Sequence, residues 1–172
     1  MTIFFTITCL FIAIFFLALL WLIDLKVRLL PNKYVAGFFL CGVVFHFLTS
    51  FYFCSPSQAT LGMLGGGGLL FTIRAVSNHI YGFDTLGLGD VKLMAAAGFW
   101  LGAEHIFLSI SVGAFAGLIH GFVYGYIANK KNADNVKFST LSIPAGPGFI
   151  VGIIVIGIFK FYTLPLLLTG QL

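Results

Sequence analysis

Long apolar stretches alternate with short polar segments along the chain, and six of these stretches are predicted to form membrane helices. Crossing the hydrocarbon core of a bilayer takes about 20 mostly apolar residues in an α-helix. The predicted spans, one of them short, run over about residues 3–23, 34–53, 59–76, 91–101, 106–128 and 148–168. This pattern predicts an all-α polytopic membrane protein, a bundle of about six transmembrane helices.

The composition agrees with a membrane protein. Of the 172 residues, 60% are hydrophobic and 8% are charged, and the mean hydropathy is +1.09. A soluble domain carries about a quarter charged residues, so lipid must be the main solvent of this chain. We expect a single transmembrane domain over residues 1–172. The first apolar stretch has no basic segment before it and no small-residue cleavage pattern before Asp24, so we expect a retained helix rather than a signal peptide.

The basic residues predict the orientation in the membrane. Eight of the nine fall in the loops after the first, third and fifth spans: Lys26, Arg28, Lys33, Arg74, Lys92, Lys130, Lys131 and Lys137. By the positive-inside rule these loops are cytoplasmic and both termini lie outside. Lys160 lies within the sixth span, where it should snorkel or line the bundle interior. The net charge of +4 therefore reflects orientation and not nucleic-acid binding.

Glycines recur at every fourth position in three spans and indicate how the helices pack. They are Gly113, Gly117, Gly121 and Gly125 in the fifth span, Gly62 and Gly66 in the third, and Gly148 and Gly152 in the sixth. Such faces let helix backbones approach closely in lipid. The glycine run at 65–68 lacks the Lys-Ser/Thr of a phosphate-binding loop, so close packing is the better interpretation.

The cysteines and histidines show no metal-ligand spacing, and we predict no metal site. Cys9, Cys41 and Cys54 form no CxxC pair and are expected to serve as small apolar side chains. Of the four histidines, His46 and His120 lie inside predicted spans. We expect both to form hydrogen bonds between helices.

The five carboxylates are informative because ionisable groups at membrane depth cost at least about 2.5–3.5 kcal/mol and usually mark function. They are Asp24, Asp84, Asp90, Glu104 and Asp134. Asp84 is interpreted as a turn residue or a substrate contact. Glu104 is expected to cap the fifth span on the opposite face, and Asp134 to lie in a solvated loop.

Asp24 and Asp90 both fall at the predicted cytoplasmic edge. Asp24 ends the first apolar run, where it either pairs with Arg28 at i+4 or serves a function. Asp90 follows Gly87-Leu-Gly89 and precedes an apolar helix, where it is an N-cap, a functional group, or both. If the two carboxylates converge in a poorly hydrated site, one should hold a proton while the other is ionised. Such a pair can do general acid–base work.

Three segments resemble motifs of the type IV prepilin peptidases. Residues 86–102, LGLGDVKLMAAAGFWLG, are similar to the GxGD segment of that family, in which a lysine stands two residues after the aspartate. Asp24 followed by Leu-Pro-Asn at 30–32 resembles its D-x5-L-P-N/D element. The IPAGPGF stretch at 143–149 is similar to its I-P-F-G-P segment. The three motifs occur in the order expected for the family and cover most of the chain.

The resemblance implies an aspartic endopeptidase of the bacterial inner membrane. Such an enzyme cleaves the basic leader from prepilins or pseudopilins after a glycine, commonly exposing a phenylalanine. Asp24 and Asp90 match the two catalytic positions of the family. Supporting roles fall on Gly87, Gly89, Lys92, Pro31, Asn32, Pro144, Gly146 and Pro147.

The resemblance implies no cofactor for proteolysis itself. Many family members also methylate the new N-terminus with S-adenosylmethionine, and long members carry paired CxxC zinc ligands. This sequence has no such cysteines and resembles the short forms, so methylation stays open.

Two other functions also stay open. A small proton-coupled transporter or channel is compatible with intramembrane carboxylates and with His120, although the chain is short and shows no evident inverted halves. A non-catalytic assembly subunit would use the aspartates only as helix caps.

Overall fold

The computed structural model describes residues 2–27, 29–131 and 145–162. These residues form five helices, and none of them is in a strand: α1 Thr2–Val27, α2 Asn32–Leu48, α3 Pro56–Tyr81, α4 Leu88–Lys131 and α5 Gly146–Phe161. The all-α prediction is confirmed. Three stretches are long and apolar enough to cross a membrane, Phe4–Val27, Pro56–Tyr81 and Leu88–Val123, whereas α2 and α5 are apolar but shorter.

The predicted count of six helices was one too high, because the fourth and fifth predicted spans both lie in α4. This helix is broken at Gly102, whose backbone angles (φ 72°, ψ 172°) are nearly exclusive to glycine. A Cβ placed on Gly66 of α3 would touch both Met94 and Ile106, which would be about 18 Å apart in a straight helix. The chain therefore reverses at Gly102 into two arms, residues 88–101 and 103–131.

The bounds of α2 and α3 also differ from the prediction. The second span was predicted to reach residue 53, but α2 ends at Leu48, because Ser50 and Phe51 adopt positive φ angles of 48° and 56°. The third span was predicted over 59–76, but α3 extends further at both ends. Its start is capped by Ser55, whose side chain accepts a hydrogen bond from the Gln58 N–H, and its end by Gly82 in the left-handed conformation.

Glycine faces bring the helices together as predicted for three spans. Gly62 of α3 lies directly against Gly98 of the first α4 arm. Gly148 and Gly152 of α5 lie against Gly113 in the second arm. Large apolar side chains such as Phe122 are exposed on the outside of the bundle, as expected where lipid is the solvent.

The core contains the predicted interhelical bond of His46. Its Nε2 lies 3.1 Å from the Phe99 carbonyl oxygen and joins α2 to α4. His120 is exposed on the second arm, which contradicts the interhelical position predicted for it. The cysteines pack as small side chains: Cys54 is buried, and the Cys41 thiol donates to the buried Cys9 carbonyl at 3.2 Å.

The bundle has two distinct ends. At the break end, around Gly102, the Lys160 ammonium donates to the carbonyls of Leu101 at 2.8 Å and Trp100 at 3.4 Å. These carbonyls belong to the last turn of the first arm, so Lys160 lines the interior, one of its two predicted positions. At the aspartate end, the end of α1 meets the starts of α2, α4 and α5. The candidate site lies there.

Candidate active site

Asp90 is buried in the first turn of α4, with 6% of its surface exposed. Its N–H donates to the Gly87 carbonyl at 3.1 Å, as does the next N–H in the chain. Gly87 is therefore the capping residue, and the prediction of Asp90 as the N-cap was wrong by this geometry. Asp90 Oδ1 is buried and has no hydrogen-bond partner among the described residues. The N-terminal end of α4 favours a negative charge at this position.

Asp24 is buried in the last turn of α1, with 3% of its surface exposed. It lies against the first residue of α5, since a Cβ placed on Gly146 would be 2.5 Å from Asp24 Oδ2. The start of α5 is thus a second helix N-terminus that faces a carboxylate. Arg28, the predicted i+4 partner of Asp24, lies outside the described residues, so that pairing stays a prediction.

The structure brings Asp24 and Asp90 to the same end of the bundle. Leu30, in the turn between α1 and α2, lies between Gly89, which precedes Asp90, and Gly146, which lies against Asp24. A Cβ on Gly89 would be 2.8 Å from Leu30 Cβ, and a Cβ on Gly146 would be 3.3 Å from Leu30 Cδ1. Two buried carboxylates from different helices therefore share one site.

The motif glycines at this end leave room for the carboxylates and their neighbours. A Cβ on Gly87 would approach Asp90 Oδ2 to 3.0 Å. A side chain on Gly89 would collide with Leu30, and one on Gly146 with Asp24. Close approach explains the glycine at position 89 of the GxGD segment and the glycine at position 146, since an alanine at either one would have to displace a site residue.

The remaining motif residues surround this pair. Lys92 donates to the Asn32 side-chain oxygen at 3.0 Å, which joins α4 to the start of α2. Pro31 precedes α2, and its carbonyl accepts the N–H groups of the first turn. Pro147 is buried in the first turn of α5. Pro144 lies outside the described residues.

Asp84 lies in the turn between α3 and α4 and is largely exposed. Its carboxylate accepts from Arg74 at 2.6 Å and from Asn78 at 2.7 Å. Arg74 also donates to the Leu86 carbonyl. Asp84 is thus a turn residue that holds this loop to α3, one of its two predicted roles. Of the other carboxylates, Glu104 is exposed at the break end, and Asp134 lies outside the described residues.

Sequence reasoning missed two contributors to the site. Leu30 was interpreted only as part of the Leu-Pro-Asn motif, because its contacts with Gly89 and Gly146 depend on the tertiary structure. The anchoring of the α3–α4 turn by Arg74 and Asn78 was not foreseen. A basic residue near the end of the third predicted span and an acidic residue in the loop after it could have indicated it.

Chemically, the arrangement suits acid–base work. Two interacting carboxylates in a buried site tend to share one proton, so one is an acid and the other a base. In the described part of the chain, no three His, Cys, Asp or Glu side chains are grouped so that they could hold a metal ion.

Comparison with known proteins finds one family. Residues 10–122, which include Asp24 and Asp90, match the sequence profile of the type IV leader peptidase family. No solved structure shows a significant match to the chain.

Individual relatives are named prepilin leader peptidase/N-methyltransferase. That of Pectobacterium carotovorum subsp. carotovorum is 29% identical over 137 residues, which cover 80% of this chain and 46% of the relative. That of Aeromonas hydrophila is 34% identical over 106 residues, 59% of this chain and 36% of the relative. That of Neisseria gonorrhoeae is 33% identical over 109 residues, 63% of this chain and 37% of the relative. The chain thus spans less than half the length of each.

Proposed function

The chain belongs to the type IV leader peptidase family, and on this premise we propose that it is an aspartic endopeptidase that cleaves the basic leader from type IV prepilins or pseudopilins. The observation that carries the proposal is the burial of Asp24 and Asp90 at one end of the bundle, where Leu30 packs against the glycines beside both of them. The names of the relatives support prepilin processing. The family match extends over both aspartates.

In the proposed reaction the two aspartates share one proton, so their titration belongs to the pair. The ionised carboxylate takes a proton from a water molecule, whose oxygen bonds to the carbonyl carbon of the scissile peptide. The protonated carboxylate donates a hydrogen bond to the carbonyl oxygen. The C–N bond then breaks, the leaving amine takes a proton from the pair, and the carboxylates return to their starting state.

The proposed location is the cytoplasmic edge of the bacterial inner membrane, with both termini outside. Lys26, Lys33 and Lys92 are exposed at the aspartate end, which supports a cytoplasmic position for that end. The substrate's apolar helix would then reach the site from the lipid, while its basic leader stays in the cytoplasm.

Neither of two cavities among the described residues offers a polar site beside the aspartates for S-adenosylmethionine, and N-methylation is not part of the proposal. That molecule is a charged nucleoside. A cavity of about 330 Å³, lined by residues of α1, α2, α4 and α5 and by Tyr162, exposes almost only apolar atoms. A smaller cavity of about 150 Å³ includes Lys160 and Glu104, but it lies at the break end, away from the aspartates.

The test is cleavage of a purified prepilin by the purified protein in detergent or liposomes, followed by mass spectrometry. The wild type should release a mass equal to the leader. Asp24→Asn and Asp90→Asn should each lower the rate by about 10²–10⁴-fold, the usual contribution of general acid–base catalysis.

The matched control is Asp84→Asn, which removes a carboxylate from the exposed turn before α4 and should cleave at the wild-type rate. Normal maturation by Asp24→Asn, in protein that is inserted and folded, would show that the assignment of the pair is wrong. An additional mass of one methyl group on the product would show that methylation belongs to this chain as well.

A further inference from the structure

Leu30 is the side chain through which the two halves of the candidate site touch. It lies in the short turn between α1 and α2 and is partly buried against the core. Its Cβ and carbonyl oxygen face Gly89, the residue before Asp90, and its Cδ1 faces Gly146, which lies against Asp24. One leucine therefore contacts the immediate neighbours of both carboxylates.

The adjacent residue shows that this contact is specific to position 30. Leu29 precedes Leu30 in the same turn, yet 67% of its surface is exposed. The turn thus points one leucine into the site and the other outward. General apolar packing alone would not require the close backbone approach that Gly89 provides for Leu30.

A second contact holds the turn to α4 on the other side of Asp90. Asn32 follows Pro31 at the start of α2, and its side-chain oxygen accepts a hydrogen bond from Lys92 at 3.0 Å. Gly89 and Lys92 lie on either side of Asp90 in the first turns of α4. The turn between α1 and α2 is therefore joined to the Asp90 helix at two points, one apolar and one polar.

We infer that Leu30 is a positioning residue that sets the separation of Asp24 and Asp90, and that the Asn32–Lys92 hydrogen bond keeps Leu30 in place. This inference rests on the proposed function, because the spacing of the two carboxylates matters only if they act as a pair. The reaction needs both carboxyl groups within hydrogen-bond reach of the same water and carbonyl group.

The expected signature is a loss in kcat with little change in KM. Leu30 contacts the neighbours of the carboxylates, so its truncation should misplace them after the substrate has bound. A misplacement of about 1 Å can lower a rate by about 10²-fold. If Leu30 instead bound the substrate equally in its ground and transition states, its truncation would raise KM and leave kcat unchanged.

The first experiment is a volume series at position 30 in the full chain, with kcat and KM measured on a prepilin. Leu30→Ala should lower kcat by about 10–100-fold. Leu30→Met should restore most of it, because swaps that conserve volume are tolerated best. Leu30→Val should be intermediate and serves if the alanine variant does not fold. Leu29→Ala is the matched control and should cleave as the wild type does.

The second experiment is a double-mutant cycle on the polar contact. Asn32→Ala and Lys92→Met should each lower kcat by about 3–10-fold, and the double variant should be no worse than either single one, since contacting residues are not additive. Lys33→Met is the matched control. It removes an exposed lysine beside Asn32, lowers the charge equally, and should leave kcat unchanged.

The outcomes separate this inference from the proposed function. A wild-type protein that does not cleave prepilin would refute the proposed function itself. A wild type that cleaves, together with a folded Leu30→Ala that keeps kcat, would refute only the positioning role. Equal losses for Leu29→Ala and Leu30→Ala, or additive losses in the double-mutant cycle, would also overturn it.

Discussion

Each end of the bundle holds an ionisable group beside the first arm of α4, partly buried Lys160 at one end and buried Asp90 at the other, but their hydrogen bonding differs. At the break end, the Lys160 ammonium donates to two carbonyls in the last turn of that arm. At the aspartate end, Asp90 lies in the first turn of the same arm, and its buried Oδ1 has no hydrogen-bond partner among the described residues.

This difference separates a structural charge from a candidate functional one. The last carbonyls of a helix have no partners within the helix, and a cation placed there satisfies them and complements the helix dipole. Lys160 therefore stabilises the fold at the break. A buried carboxylate oxygen without a partner costs free energy, which is accepted where the group must be available for chemistry.

The largest effect that sharpens the comparison is expected at Gly146. Alanine there would place a Cβ 2.5 Å from Oδ2 of Asp24, so the carboxylate would have to move. Gly146→Ala should lower the rate of prepilin cleavage by about 100-fold, because the reacting groups would lose their alignment. The measurement is kcat on a purified prepilin.

The control for this prediction lies in the same helix. Gly157 is in α5 towards the break end, and a Cβ there would meet no atom within 4 Å among the described residues. Gly157→Ala should therefore cleave at close to the wild-type rate. Equal losses of kcat at both positions would mean that α5 tolerates no substitution. They would not support a catalytic role for the aspartate end.

The sequence predicted the helices well where apolar runs coincide with them, and less well where backbone conformation decides. The second span was predicted to run to Phe53, across Thr49 and Ser50, yet α2 stops at Leu48, because the following turn uses positive φ at Ser50 and Phe51. In α3, hydropathy falls after residue 76, but the helix continues to Tyr81. Apolar content marks the part of a helix that lipid can cover, and capping marks where it ends.

For the site, charge patterns and motifs predicted the members but not their contacts. Asp24 and Asp90 could be assigned to one end because the basic loops alternate along the chain. The role of Leu30 could not be predicted, because it depends on the approach of α5 and α4 to the same turn. The reversal at Gly102 falls where the sequence predicted it, between the fourth span over residues 91–101 and the fifth over 106–128.

Lys160 gives the next largest expected effect, on stability rather than on activity. Lys160→Met should lower the free energy of unfolding by about 3 kcal/mol, because a hydrogen bond from a charged group contributes about 1.5–3 kcal/mol and the carbonyls would lose their partner. Thermal unfolding in detergent measures this loss. The cleavage rate per folded molecule should stay at the wild-type value.

The control is Lys33→Met, which removes an exposed lysine at the aspartate end and should leave the unfolding midpoint unchanged. A folded Lys160→Met protein with lost cleavage and unchanged stability would place chemistry at the break end. The distinction between the two ionisable groups would then fail.

Gly102 gives a smaller expected loss. Its φ of 72° and ψ of 172° are costly for any other residue, and a Cβ would lie 2.7 Å from Cys54 Sγ. Gly102→Ala should destabilise the protein by about 2 kcal/mol, within the range of about 1–3 kcal/mol for such strained conformations. Adding Cys54→Ala should recover only the steric part, so recovery of full stability would argue against backbone strain.

The smallest effect on stability is expected at Asp84, at the aspartate end. Like Lys160, this side chain has hydrogen-bond partners. Its ion pair with Arg74 is 2.6 Å long, but the Asp84 side chain is 74% exposed. Solvent screens such pairs, so Asp84→Asn should change the free energy of unfolding by less than about 1 kcal/mol, and less still in high salt.

Cleavage by Asp84→Asn should be unaffected, because the carboxylate already holds the α3–α4 turn to α3. A large loss of cleavage would mean that this turn contacts the substrate. The presence of hydrogen-bond partners would then no longer distinguish structural from functional charges at the aspartate end.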